Sequence, residues 1–356
     1  MRRYVMGTPK PTIKDIAEIA GVSLPTVHKA IYGKPGISEA TRKRILDITE
    51  ELHYVINPTA SRLKRGVINL AIVLPMLSRQ YDQFFRKMWE GVERCEKNMA
   101  DYNAVLIRFP CGRTSESQFP IFEELLTRED IHGVITYCWD DKALNPYFER
   151  LKQKGIPVVT VDSDAVGSCR IGCVRASGRQ TGQLAAELLS KMIPHSGRLI
   201  FLNGNLQQAL LRDNTLGFYS YITENRPDLA VLGIGNACGA MSLEDTLVQE
   251  IKNHPDIVGI YCNSASNVLS MCRALERTAS LGRITAVASD IFEELEPYLD
   301  SGLVAATIWQ APELQVQEAI RMLYDYIDGS PWENEVEYVK LGIVMKHNFR
   351  NYLIEK

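Results

Sequence analysis

Apolar positions follow two rhythms along the chain, and the change of rhythm divides it. Up to residue 52 the spacing is helical. Ile13, Ile16, Ala17 and Ala20 fall at i, i+3, i+4 and i+7, which gives a first helix one apolar face that ends at Gly21. Ser23 heads a second helix over 24–31, with Val27, Ala30 and Ile31 inward and Thr26, His28 and Lys29 outward. Beyond the loop from Gly33 to Gly36, Ser38 is placed to cap a third, with Ile45, Ile48, Thr49 and Leu52 inward and Arg42, Lys43 and Arg44 outward. Helix, tight glycine-containing turn, helix is a helix-turn-helix. The third helix closes a small all-α bundle.

From Asn69 the rhythm changes to short apolar runs separated by amphipathic stretches. The spacing predicts strands over 70–74, 104–109, 133–137, 158–161, 199–202, 231–234, 258–261, 286–288 and 305–308, and helices over 85–99, 179–192 and 243–252 among others. Continuously apolar strands alternating with helices mean parallel sheets in an α/β domain. Residues 67–356 exceed what one small core holds, so two lobes are expected.

Charge separates the same two regions. Residues 1–66 hold twelve Lys/Arg against six Asp/Glu, a balance of +6; with −3 on the whole chain, −9 falls on the rest. A basic head on an acidic body is the footprint of a module that binds double-stranded DNA, joined to one that does not. Residues 1–10 carry Arg2, Arg3 and Lys10 without an apolar run, so they read as a basic arm, neither export signal nor membrane segment. No later stretch reaches the apolar length of a bilayer span, and the expected location is the cytoplasm. Eight scattered Cys then read as reduced thiols. Neither they nor the six dispersed His have ligand spacing, so no metal and no cofactor is expected.

Thr12-Ile13-Lys14-Asp15-Ile16-Ala17, Ala20-Gly21-Val22-Ser23, Thr26-Val27, Ile37-Ser38-x-x-Thr41-Arg42 and Tyr54-x-x-Asn57-x-x-Ala60-x-x-Leu63 resemble, without a gap, the head-piece of the lactose-repressor/galactose-repressor (LacI/GalR) transcription regulators. The departures are Thr26-Val27-His28-Lys29 where the family usually reads T-V-S-R, Ile56 for a Pro, and Ser61 for a hinge Arg. The resemblance implies a head-piece over 1–56 and a hinge helix over 57–66, and it assigns DNA contacts to Thr12, Ser23, Leu24, Pro25, Thr26, His28, Lys29, Asn57, Ala60 and Leu63. An α-helix fits the major groove and its first turns reach base edges, where Lys29 can donate to guanine and Leu24 and Pro25 can touch only a thymine methyl. Leu63 matches the family's minor-groove wedge.

The remainder, 67–356, resembles more loosely the type I periplasmic sugar-binding fold, in which two lobes close on a ligand and the chain crosses between them three times. The lobes are expected at 67–175 with 309–338, and at 176–308 with 339–356. In parallel sheets ligands sit beyond the carboxyl ends of strands. That rule selects the stretch 77–85 with its aromatics Tyr81, Phe84 and Phe85, then Trp139, Asp162, Asn203, Asn205, Asn263, Asp290 and Gln310. Asp, Asn and Gln aimed at one cleft suit a polyhydroxylated ligand. By resemblance, Asp162, Asp290 and the Gln310 that ends Ala305-Ala306-Thr307-Ile308-Trp309-Gln310 belong to a sugar pocket. Arg212 and Asn214 stand near the family's R-x-x-G-F, and Ser163 replaces its second Arg.

No Walker loop, G-x-S-x-G or G-x-G-x-x-G is present, so catalysis has no candidate constellation. The reading is a homodimeric repressor on a pseudopalindromic operator, controlled by a sugar or sugar derivative. The chain's end carries no leucine heptads, which argues against a tetramer. The alternative is a receptor-like protein that senses a nucleoside, polyol or protein partner. Leu63→Ala is expected to weaken operator binding by more than about 1 kcal/mol while sparing nonspecific binding. Equal losses on both DNAs in a gel-shift titration would reject the wedge.

Overall fold

The computed structural model describes residues 13–31, 36–52, 66–77, 83–99, 102–204, 208–235, 241–330 and 335–353, with Ile13, Lys14, His28 and Ile31 described by their backbone alone. The chain forms two compact units, Met1–Gly66 and Val67–Lys356. In the first, α1 (Ile13–Ala20), α2 (Leu24–Ile31) and α3 (Glu39–Glu51) enclose Ile16, Ala17, Ala20, Val27, Ala30 and Ile45. Gly21 takes the turn at φ +61°, a left-handed conformation that glycine adopts without steric cost. Ser38 caps α3, its Oγ accepting from Thr41 N at 3.2 Å. Ser23 instead pairs its hydroxyl with that of Thr26 at 2.9 Å. Arg42 corrects the outward expectation: its guanidinium donates to the carbonyls of Lys29 and Ala30 at 3.2 and 3.3 Å, filling acceptors that the end of α2 leaves open.

The second unit contains two six-stranded sheets. The first takes β1 (Ile68–Pro75), β2 (Ala104–Cys111), β3 (Gly133–Thr136), β4 (Val158–Val161) and β5 (Gly172–Arg175), joined by α4 (Gln83–Met99), α5 (Phe119–Thr127) and α6 (Asp141–Gln153). The second takes β6 (Gly197–Leu202), β7 (Leu229–Ile234), β8 (Ile257–Cys262), β9 (Thr285–Ser289) and β10 (Ala306–Trp309), with α7 (Gly178–Met192), α8 (Ala209–Asn225), α9 (Leu243–Asn253), α10 (Ala265–Arg277) and α11 (Glu296–Asp300). After α12 (Pro312–Asp328), β11 (Val336–Tyr338) joins the first sheet and β12 (Gly342–Val344) the second, before α13 (Phe349–Leu353). The sheet orders, β11-β5-β4-β3-β1-β2 and β12-β10-β9-β8-β6-β7, repeat one doubly wound pattern. Strand pairing is parallel except at β12, which runs antiparallel to β10. Helices cover both faces of each sheet, over four separate apolar clusters.

The chain passes between the sheets after β5, after β10 and after β11. Trp309 stays in β10, so the second passage starts at Gln310 rather than at 309. In the second lobe, α7 and α8 touch backbone to backbone. A Cβ on Gly182 would lie 1.9 Å from Asn214 O, and one on Gly217 2.1 Å from Arg179 O. This contact holds α8 against α7, and α8 begins at the cleft. Gly182→Ala is therefore expected to destabilise the second unit by about 1–3 kcal/mol through overpacking, read from urea unfolding. An unchanged midpoint would mean the helices part freely.

Candidate functional site

A cavity of about 220 Å³ opens between the lobes. One wall is aromatic: Phe84 and Phe85 come from the first turn of α4, and Tyr137 and Trp139 follow β3. Their rings pack edge to face and tilted, with Phe85 at 5.3 Å from Tyr137 and Tyr137 at 4.7 Å from Trp139. Arg113, after β2, lies over the Phe85 ring at 5.5 Å. The opposite wall holds Asn263 to Ser266 after β8, Gln208, Leu210 and Leu211 at the start of α8, and Asp290 after β9. Asp162, after β4 in the first lobe, lines the cavity as well.

Asp162 and Asp290 occupy equivalent places in the two lobes. Each follows the strand that ranks β4 in the first sheet and β9 in the second, each has positive φ (62° and 68°), and each backbone N–H donates at 2.8 Å to the neighbouring strand, at Val174 O and Ile308 O. Left-handed backbone is unfavourable for most side chains, and Asp is among the few that tolerate it. The turn aims both carboxyl groups into the cleft at 3% exposure. Gln310 donates its amide to Asp290 Oδ2 at 3.1 Å, and Gln315 donates to Gln310 O at 2.9 Å and to the Asp162 carboxylate. Asp162 Oδ1, Asp290 Oδ1 and Asn263 Nδ2 have no partner. Buried polar atoms are nearly always bonded, so three orphans lining one cavity mark the places of ligand atoms.

Six expected ligand residues line the cavity together: Phe84, Phe85, Trp139, Asp162, Asn263 and Asp290. Gln310 stands behind Asp290 as its support. Two placements are corrected. Asn214 turns its amide into the core, donating to Tyr261 OH at 2.9 Å, and Arg212 is exposed; α8 presents Leu210 and Leu211 to the cavity, and a residue one step further along points about 100° away. Tyr81, Thr12, Asn57, Ala60 and Leu63 lie outside the described residues, as does the His28 side chain. In the head, Ser23, Leu24 and Pro25 are exposed, and Thr26 and Lys29 half-buried. Sequence reasoning missed Arg113, Tyr137, Gln208, Leu210, Leu211 and Ser264 to Ser266. Among the described residues no His, Cys, Asp and Glu cluster could hold a metal, and no helix is long and apolar enough to cross a membrane.

Burial raises Asp162 from the ordinary carboxylate range to about 7, against the opposing pull of Arg175 and the Gln315 hydrogen bond. Asp290 is pushed well above that range by burial and then by the charge of Asp162. The folded state thus favours the neutral acids. Stability from this source is complete below the unfolded value near pH 4 and is lost as pH rises towards the folded values. Asp162→Asn removes one share of that loss. The variant's stability advantage without ligand should grow between about pH 5 and 7, by at most about 1.4 kcal/mol per pH unit for one proton. A gap that stays constant across that window in urea titrations would place the Asp162 carboxyl in water.

With the geometry in place, comparison with known proteins agrees on both units. Residues 12–57 match the model for bacterial regulatory proteins of the lacI family, and residues 73–331 match a periplasmic binding protein domain. The HTH-type transcriptional repressor PurR of Aliivibrio salmonicida (strain LFI1238) is 28% identical over 217 residues, 60% of this chain and 61% of that protein. The chain thus spans about three fifths of that relative's length. A putative LacI transcriptional regulator from Bacteroides fragilis superposes with a TM-score of 0.72 at 18% identity, over 81% of this chain and all of that one. A solute-binding protein from Burkholderia graminis in complex with D-arabinose superposes with a TM-score of 0.71 at 21% identity, over 80% and 96% of the two chains. The chain belongs to the periplasmic binding protein domain family and carries a lacI-family regulatory head in front of that domain.

Proposed function

We propose that the chain is an operator-binding transcription repressor whose grip on DNA is set by a small polyhydroxylated ligand between the lobes. What carries the reading is one chain holding both a helix-turn-helix with Leu24 and Pro25 exposed on its second helix and a cleft with three orphaned polar atoms on its wall. The lacI-family head and repressors such as PurR among the relatives support the first half. A fold shared with a D-arabinose-binding protein supports the second.

In this reading α2 enters the major groove, and Lys29 discriminates one base pair by about 1–3 kcal/mol. Two heads of a homodimer meet a pseudopalindrome, and the protein works in the cytoplasm, where the operator is. The aromatic wall covers the apolar face of a ring, while Asp162, Asp290 and Asn263 bond its polar edge. At about 220 Å³ the cavity falls below the 300–1,000 Å³ of drug-sized ligands, which fits a monosaccharide-sized molecule. The reading assigns the chain no catalytic step.

The ligand acts through the three crossings. If it prefers one lobe arrangement over another by about 1–3 kcal/mol, operator affinity changes 5–150-fold. The test is a thermal-shift panel of sugars, polyols and nucleosides on the purified chain, followed by fluorescence anisotropy on an operator selected from random duplexes. At 100 times its dissociation constant a true ligand adds about 2.7 kcal/mol of stability. That same compound should shift operator affinity at least five-fold; one that stabilises the protein and leaves DNA binding unchanged would overturn the regulatory reading.

A further inference from the structure

Resting on the small-ligand reading of the cleft, we infer that its ligand carries a protonated amine: an amino sugar or similar polyhydroxylated amine, rather than a neutral or acidic sugar. The argument is one of charge in a buried place. Asp162 and Asp290 approach the cavity from opposite lobes, each 3% exposed and each with an orphaned Oδ1. The hydrogen bonds they accept from side chains come from neutral amides, Gln315 and Gln310. Among the described residues neither forms an ion pair. Glu313, on the first turn of α12 and 2% exposed, adds a third carboxylate whose charge reaches Asp290.

Cations nearby are committed elsewhere. Arg175 acts on Asp162 by its charge, but its hydrogen bonds go to Asp213 Oδ2 at 2.8 Å and to Ala176 O at 3.3 Å. Arg113 lines the cleft on the aromatic side, exposed and over the Phe85 ring. The cleft therefore faces the ligand with unpartnered carboxyl oxygens and two buried acids that lack a paired cation.

Different ligands answer those acids differently. A hydroxyl supplies one donor and leaves the buried acids protonated. An acidic sugar brings a negative charge to a wall that holds no paired cation. An ammonium supplies three donors and a compensating charge, and the rings of Phe84, Phe85, Tyr137 and Trp139 across the cavity favour a cation as well. Burial keeps protons on the two acids in the free cleft, so an arriving ammonium displaces them. Binding then releases protons, whereas a neutral sugar can bind the protonated acids as they stand.

Isothermal titration of the full chain in two buffers of different ionisation enthalpy measures affinity and proton release together. The probes are glucosamine, galactosamine and mannosamine, each with its neutral hexose and its N-acetyl derivative, and glucuronate and galacturonate. At least one free amine should bind ten-fold or more tightly than its hexose and its N-acetyl derivative, with proton release at pH 6.5. Asp162→Asn and Asp290→Asn should each shrink that preference to under three-fold, their folding confirmed by an intact cooperative melt. A hexose or uronate that binds as tightly as its amine, or a preference that survives both variants, overturns the inference and leaves the sensor reading standing. Silence from every probe overturns the inference and the small polyhydroxylated ligand together.

Discussion

Two sheets that face each other with the carboxyl ends of their strands create the constraint from which the rest of the second unit follows. Strand ends in a parallel sheet expose backbone and place loops, and here both sets of loops meet in one cleft. The equivalent turns at Asp162 and Asp290 hold left-handed backbone, and each delivers a buried carboxyl group into the cleft. Such groups are costly to bury without partners. The support they do have, Gln310 and Gln315, comes from the segment by which the chain returns to the first lobe. Thus the feature that makes the cleft a binding site is tied to a crossing, and crossings are where the lobes can move.

Charge divides labour along the chain. The basic surplus is gathered in the first 66 residues and the acidic surplus in the rest, which suits the proposed division between a head that attracts phosphates and a second unit that repels them. Within the head, Arg42 shows that positive residues are not all for DNA. Its guanidinium is spent on the carbonyls that end α2, fixing the helix whose outer face carries Leu24 and Pro25. Lys43 and Arg44 on the same helix stay exposed.

Much of this was legible from the pattern of residues, and the misses have physical causes. Asp162 and Asp290 stand out because each directly follows a short, mostly apolar strand, Val158–Val161 and Thr285–Ser289. Tyr137 was read as the last residue of its strand, although β3 ends at Thr136 and Tyr137 already faces the cavity. The spacing ends β2 at Phe109, but it continues through Pro110 to Cys111, which puts Gly112 and Arg113 directly beyond the strand end. Three strands went unseen because they are three or four residues long, and Gly172, Arg175 and Glu337 break their apolar runs. Leu210 and Leu211 enter the site from the start of α8, a helix packed closely on the glycines of α7, a tertiary fact that no local period encodes.

Arg175 is where the cleft and the lobe arrangement share a residue. It ends β5 at the first crossing, its guanidinium bonds Asp213 of α8 in the other lobe, and its charge favours ionised Asp162. Any movement that lengthens the Arg175 to Asp213 contact changes the field on Asp162, and any ligand that changes the charge at Asp162 changes what Arg175 gains by holding Asp213. The two effects are one coupling free energy seen from two sides, and thermodynamic linkage makes them equal. The Arg175 side chain is 7% exposed and that of Asp213 45%, so salt screens this pair less than the pairs exposed on both sides. The cleft and the contact that ties the two lobes at the first crossing therefore share one guanidinium.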